Sequence, residues 1–193
     1  MDDTQLLKNN NVEIIKLIGS GDHGRSKVYL GYHADFGIVA AKVMRIGRFD
    51  SNEFFKIGAL NKPEFASPFI MKCFKAKPFS PNVVILMEYA NAKSLELIFK
   101  DNKRKLSIGT LRALAQQILE GVRVIHAAGL IHKNIKTGNI MLHSANGGIQ
   151  IKISNLGIQK VELVEKSDLI DFETMLCMAP ELLLGGDSYT NKV

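Results

Sequence analysis

The chain has 193 residues, 46% of them hydrophobic, and 25 Lys and Arg against 19 Asp and Glu for a formal charge of +6. That length suits one domain, or two small lobes, with enough apolar material for a core. Mild basicity fits a solvated lysine-rich exterior, a phosphate-rich ligand or an acidic partner, and no dense Lys/Arg run interleaved with aromatics points to nucleic acid. The longest apolar runs are about five residues, as at 83–87, too short to span a membrane. Residues 1–11 are polar and carry no signal-peptide core. Cys73 and Cys177 are far apart and match no metal-ligand spacing. Together these features lead us to expect a reduced, soluble, intracellular protein.

Residues 12–18 alternate polar and apolar side chains and run into a glycine cluster, which predicts a strand. Residues 26–33 predict a second strand and 37–44 a third, joined by Ala34-Asp35-Phe36-Gly37, a turn composition. Residues 50–61 predict a short helix with Asp50 as N-cap and Glu53 in capping-box position. Residues 65–74 and 82–87 predict two more strands, with Pro78 and Pro81 bracketing the turn between them. The period then changes. Over residues 107–128, Leu111, Leu114, Ile118, Val122 and Ile125 form a helical stripe facing a core. Ser107 and Thr110 are both candidate caps, and Gly129 is a C-terminal stop. Residues 140–142 and 149–153 predict short strands around Asn146-Gly147-Gly148, which tolerate the positive φ of a tight hairpin. No internal repeat or low-complexity linker interrupts this order of five strands with one inserted helix, then a helix, a loop and a hairpin.

Several short segments carry chemistry. Gly19-Ser20-Gly21-Asp22-His23-Gly24 follows the first strand, where glycines would let backbone N–H groups approach phosphate oxygens. Such a string is often only a flexible turn, and a strand rather than a helix follows it, which disfavours a dinucleotide site. Lys42 ends Val39-Ala40-Ala41-Lys42 in the third strand. It is either an inward lysine with an anionic partner or an exposed lysine on an edge strand. Val84-Ile85-Leu86-Met87-Glu88-Tyr89-Ala90 reads as a buried strand reaching the surface. The most informative stretch is Ile131-His132-Lys133-Asn134-Ile135-Lys136-Thr137-Gly138-Asn139-Ile140, followed by Lys152-Ile153-Ser154-Asn155-Leu156-Gly157 and later Met178-Ala179-Pro180-Glu181.

In this order the segments resemble the motifs of the eukaryotic-type protein kinase superfamily, serine/threonine type, over about residues 13–181. The resemblance implies an α+β fold with a five-stranded antiparallel sheet and one helix in the N-lobe, residues 12–89. An incomplete helical C-lobe follows in residues 90–193, the whole forming one kinase-like domain. It implies that Gly19, Gly21, Gly24, Val28, Ala40, Lys42, Met87, Glu88, Ala90 and Met141 bind ATP, with Met87 as gatekeeper and backbone groups of Glu88 and Ala90 on the adenine edge. Glu53 is the candidate partner for Lys42, in competition with its capping-box role, and Glu64, after Pro63, is the other candidate. Lys136 would steady the γ-phosphate, and Asn139 with Asn155 would hold Mg2+. Asp35-Phe36-Gly37 spells the metal-binding D-F-G but precedes Lys42, so it reads as a turn. Ser167 and Thr174 fall in the activation segment as candidate phosphorylation sites.

The departures from the family pattern concern charge. Asn134 stands at the catalytic aspartate position, and a neutral amide is a poor base where general-base help is worth ~10²–10⁴ in rate. Asn155 stands at the metal-binding aspartate position, and a hard cation prefers anionic oxygen. Lys133 replaces an arginine whose forked contact lysine reproduces poorly. Val28 comes four residues after Gly24 instead of two, so the glycine loop is about two residues long for the family. Only residues 182–193 follow the A-P-E motif, so Glu181 lacks its partner and faces at Leu114 and Ile118 lack cover. We therefore expect a pseudokinase, catalytically weak or dead, that retains ATP with Mg2+ weak or absent and serves as a regulatory or interaction module for a protein partner. The alternatives are an active serine/threonine kinase acting on a protein substrate, and a non-functional fragment. No nucleic acid or membrane partner is expected.

Overall fold

The structure is a computed structural model that describes residues 2–21, 24, 26–101, 105–145, 147–156, 176, 177 and 180. The chain divides into two compact units, Met1–Ser51 with Met71–Ala90, and Asn52–Ile70 with Asn91–Val193.

The first unit is a five-stranded antiparallel sheet in the order β1-β2-β3-β5-β4: β1 Val12–Gly21, β2 Ser26–His33, β3 Gly37–Arg45, β4 Cys73–Phe79 and β5 Asn82–Glu88. β3 and β5 lie inside the sheet, and Val83, Val84, Ile85, Leu86 and Met87 are all buried. A strand covered on both faces reads as a continuous apolar run rather than an alternation, which is how residues 82–87 read in the sequence. The Asp35-Phe36-Gly37 turn joins β2 to β3, and Phe36 stacks between His33 (4.7 Å) and Phe74 (4.8 Å). It is a hairpin anchored by aromatic contact, as its place in the sequence implies.

A helix that the sequence did not announce, α1 Asp3–Lys8, packs on this sheet. Leu6 and Leu7 join Val12, Val39, Ala41, Val43, Val84 and Leu86 in one buried cluster. Asp3 fixes the helix start by accepting from Lys27 Nζ at 2.9 Å and from Tyr29 Oη at 2.7 Å. Burial pushes the Asp3 carboxyl up, but the two hydrogen bonds and the Lys27 charge outweigh it and hold its pKa below the usual value.

Gly31 on β2 is required by crowding. A Cβ there would lie 2.5 Å from Val12 Cγ1 and 2.8 Å from the Glu13 carbonyl oxygen. Backbone cannot retreat as a side-chain tip can, so Gly31→Ala should destabilise the sheet by roughly 1–3 kcal/mol in urea unfolding. A loss below the error of that measurement would show that β1 and β2 are packed more loosely.

Two expectations need correction. Residues 65–74 are not a strand of the sheet. Pro63–Phe65 is a 3-10 turn, Phe69 O accepts from Ile153 N–H at 2.8 Å, and Ile70 forms a parallel bridge to Ile153. These backbone groups are satisfied in the second unit, and the strand begins only at Cys73. Pro78 lies within β4, opposite Val83, rather than in the turn. Proline is tolerated there because β4 is an edge strand.

The second unit contains α2 Ser51–Ile57 from its second residue on, α3 Leu95–Lys100, α4 Ile108–Ala127 and the hairpin of β6 Ile140–Ala145 with β7 Gly148–Ile153. α4 begins at a Ser107 cap whose Oγ accepts from Thr110 N–H at 3.1 Å, and Gly129 ends it with φ of 72°. Its buried side is Leu114, Gly121, Val124 and Ile125, with Gln117 Oε1 accepting from Ile151 N–H at 2.9 Å. Leu114 is buried, contrary to the expectation that it lacks cover, whereas Leu111 is 42% exposed and does not belong to the stripe. The large apolar side chains left in solvent on this helix are Ile108, Leu111 and Leu119. No described helix is long and apolar enough to cross a membrane.

Candidate functional site

In the first unit, ladder register gathers the sequence-predicted residues onto one sheet face. Directly paired residues point the same way, and side chains two apart on a strand share a face. Lys42 pairs with Val28 on one side and Ile85 on the other. Ala40 pairs with Leu30 and Met87, and Met87 pairs with Cys73. Val28, Ala40, Lys42 and Met87 therefore share a face, opposite the one that Leu6 and Leu7 cover through Val39, Ala41 and Val43. Lys42 is only 5% exposed on a central strand, which removes the edge-strand reading of this residue. Beside it, burial pushes the Cys73 thiol up to about 12, against the opposing pull of the Lys42 charge.

The glycine cluster is part of the ladder for longer than its composition suggests. Gly19 pairs with Val28, and the β1–β2 hairpin closes at Gly21 and Ser26. Gly24 lies in the turn with φ of 83°, and Asp22 and His23 lie outside the described residues. At the far end of the face, Glu88 donates its backbone N–H to Lys72 O at 2.9 Å, and its carboxylate accepts from Lys72 N–H at 3.2 Å. Ala90 is buried just beyond. Glu53 is in α2, but its side chain lies outside the described residues, while Glu64 is exposed on its 3-10 turn.

In the second unit, the loop between α4 and β6 folds around His132. The ring is 2% exposed. Its Nε2 lies 3.0 Å from Ser154 O, and its Nδ1 accepts from Asn134 N–H at 3.2 Å. A carbonyl oxygen only accepts, so Nε2 carries the proton, and the neutral tautomer satisfies both nitrogens. Burial holds the His132 pKa down at about 4 against the raising effect of the Ser154 bond.

Around this ring the three asparagines form one network. Lys133 takes φ of 68° and Asn155 φ of 59°, turning the chain sharply at both ends of it. Asn139, 4% exposed in the 3-10 turn Thr137–Asn139, donates from Nδ2 to Asn134 O at 2.7 Å. Its Oδ1 accepts from Asn155 Nδ2 at 2.8 Å. Its backbone oxygen accepts from both Ser154 N–H at 2.8 Å and Ser154 Oγ at 2.9 Å. The sequence brings Asn134, Asn139 and Asn155 to notice, and the fold brings them together. Ser154 is the residue that motif reading passes over, although it binds both His132 and Asn139.

Met141 follows on β6, bridged to Ser94. Next to the loop, Glu96, Phe99, Lys100, Lys136, Thr137, Gly138, Leu176 and Cys177 line a cavity of about 310 Å³. Gly138 sits against Glu96, whose Oε2 would lie 2.6 Å from a Cβ there and would have to swing aside for a larger residue. Glu96 itself bonds Lys100 Nζ at 2.6 Å. Gly157, Ser167, Thr174 and Glu181 lie outside the described residues. Among the described residues, no cluster of three or more His, Cys, Asp or Glu side chains is placed to hold a metal ion.

Comparison with known proteins bears on what this arrangement is. The RGS domain-containing serine/threonine-protein kinase A of Dictyostelium discoideum is 32% identical over 188 residues, covering 95% of this chain and 16% of that protein. Mitogen-activated protein kinase kinase 9 of Arabidopsis thaliana is 34% identical over 119 residues, covering 60% of this chain and 36% of that protein. The chain thus spans only a minor part of these relatives. The crystal structure of the Mycobacterium tuberculosis PknI kinase domain shares the fold, with a TM-score of 0.64 at 20% identity, covering 92% of this chain and 67% of that one. The family model for the protein kinase domain matches residues 12–193, and the chain belongs to the protein kinase family.

Proposed function

We propose that this chain is a nucleotide-binding protein-kinase-like domain of the serine/threonine type whose phosphate transfer is impaired, and that it acts as a regulatory or interaction module. In this reading residues 1–193 form one domain, with a small lobe over 12–89 and a partial large lobe over 90–193. Lys42, Val28, Ala40 and Met87 supply the nucleotide face of the sheet, the backbone of Glu88 and Ala90 meets the adenine edge, and Gly19, Gly21 and Gly24 lie along the phosphates. Met141 and Lys136 belong to the nucleotide side of the catalytic loop.

The observation that carries the reading is the bond from Asn155 Nδ2 to Asn139 Oδ1. The magnesium that the family uses is held by a carboxylate at the position of Asn155 and by an amide at that of Asn139. Here position 155 carries a neutral amide in place of the carboxylate, and the oxygen that Asn139 would offer a cation already accepts a hydrogen. The residues do not fit the metal. Asn134, at the catalytic aspartate position, likewise offers no base.

The test is phosphate transfer to a generic protein substrate, measured beside nucleotide binding by thermal shift. The expected result is ATP binding without transfer, and a gain of ~10²–10⁴ in transfer for the double variant Asn134→Asp with Asn155→Asp. Magnesium-dependent transfer by the unmodified chain, lost in Lys42→Met, would overturn the reading. That outcome belongs to the second reading, an active serine/threonine kinase, which is supported by the retained His132, Lys136 and Asn139 and by the names of the relatives.

A further inference from the structure

The amide network has a direction. Asn155 gives a hydrogen to Asn139, and Asn139 gives one to the backbone oxygen of Asn134. Ser154 adds two more donors to the backbone oxygen of Asn139. Three of these neutral hydrogen bonds tie the segment after β7 to the catalytic loop, and the fourth, from Asn139 to Asn134, lies within the loop. The two that Asn155 and Asn139 donate depend on which side-chain atom is nitrogen and which is oxygen. An aspartate at position 155 would set an oxygen against Oδ1 of Asn139. Two acceptors 2.8 Å apart repel unless a proton or a cation lies between them.

We propose that the Asn155–Asn139–Asn134 amide relay is a metal-independent brace, with the Asn155 amide hydrogen doing mechanically what a divalent cation between two oxygens would otherwise do. The function is then that of a positioning device: the loop and the end of β7 keep their mutual arrangement whether or not magnesium is present. This rests on the impaired-transfer reading for the view that no cation is required at Asn155. It goes further in assigning the two asparagines a role of their own. It also accounts for the burial of Asn139, since an amide with both polar atoms bonded is inexpensive to bury, whereas a lone carboxylate is not.

Thermal unfolding of the full chain without nucleotide tests the brace. The probe is magnesium chloride alone, at millimolar concentration, against EDTA. The unmodified protein should melt at the same temperature in both. Asn155→Asp should melt lower in EDTA by on the order of 2–4 °C and recover at least half of that loss in magnesium. A second measurement, exchange of the Asn155 side-chain amide protons by NMR, should give a rate at least ~10-fold slower than that of the exposed Asn61 amide. The brace is overturned if magnesium raises the melting temperature of the unmodified protein by several degrees. It is equally overturned if Asn155→Asp in EDTA melts with the unmodified protein, or if the Asn155 amide exchanges as fast as that of Asn61. None of these readouts involves phosphate transfer. A failed brace in a protein that transfers no phosphate removes this inference alone, and transfer by a magnesium-indifferent protein removes the functional reading alone.

Discussion

Acidification from neutral pH to about pH 4 should remove on the order of 3 kcal/mol of folding stability through His132 alone. The folded ring titrates at about 4 and the ordinary value is 6.5. Between those two values the unfolded chain binds a proton that the folded chain refuses, so unfolding takes up protons and stability falls as pH falls. The contribution is fully present above pH 6.5 and exhausted below about pH 4. The geometry explains why the folded ring resists. A second proton would have to sit on Nδ1, which already accepts from Asn134 N–H. Two donors would then face each other inside a site that is almost closed to water. Urea unfolding at several pH values, on the unmodified protein and on His132→Asn, isolates this residue from the other histidines. Parallel stability curves for the two proteins would refute the assignment.

Leu7→Ala should cost about 3 kcal/mol in the same measurement, within the range for a leucine truncated in a filled core. Leu7 is fully buried although it lies on a six-residue helix at the start of the chain. A helix that short has no stability of its own in water. Its order comes from Leu6 and Leu7 packing on Val39, Ala41, Val84 and Leu86, and from the Asp3 bonds to Lys27 and Tyr29. The midpoint should shift with little change in urea dependence, since the same surface is exposed on unfolding. A cost below about 1 kcal/mol would mean that α1 adds little to the sheet.

These two residues mark the limits of what the sequence could tell. His132 was legible because it stands at fixed spacing from Lys136 and Asn139 in a segment whose order along the chain is specific. Its pairing with Ser154 was not, because Ser154 belongs to a hairpin that only the fold returns to the loop. α1 was missed because two leucines in six residues give no period to detect. α3 was missed because six residues, four of them apolar, are too short to show a helical period. The five-strand sheet was legible from alternation and from the unbroken apolar run of β5. The error at residues 65–74 arose because apolar, extended-looking composition does not name a partner, and the backbone of Phe69 and Ile70 pairs with Ile153 of β7. At the site, Asn134 and Asn155 were read as two losses of charge and Asn139 as the retained asparagine of the loop. The hydrogen-bond direction among them is a property of side-chain placement, and no spacing rule carries it.

The sheet cluster under α1 has a practical consequence. The family match begins at residue 12, and an expression boundary drawn there would discard Leu6 and Leu7. Val39, Ala41, Val43, Val84 and Leu86 would then lose the leucines that pack on them. Such a shortened protein should be recovered mainly in inclusion bodies or as soluble aggregates, while one beginning at Met1 should remain monodisperse. For this chain, the useful limit for recombinant work lies eleven residues ahead of the limit that family membership suggests.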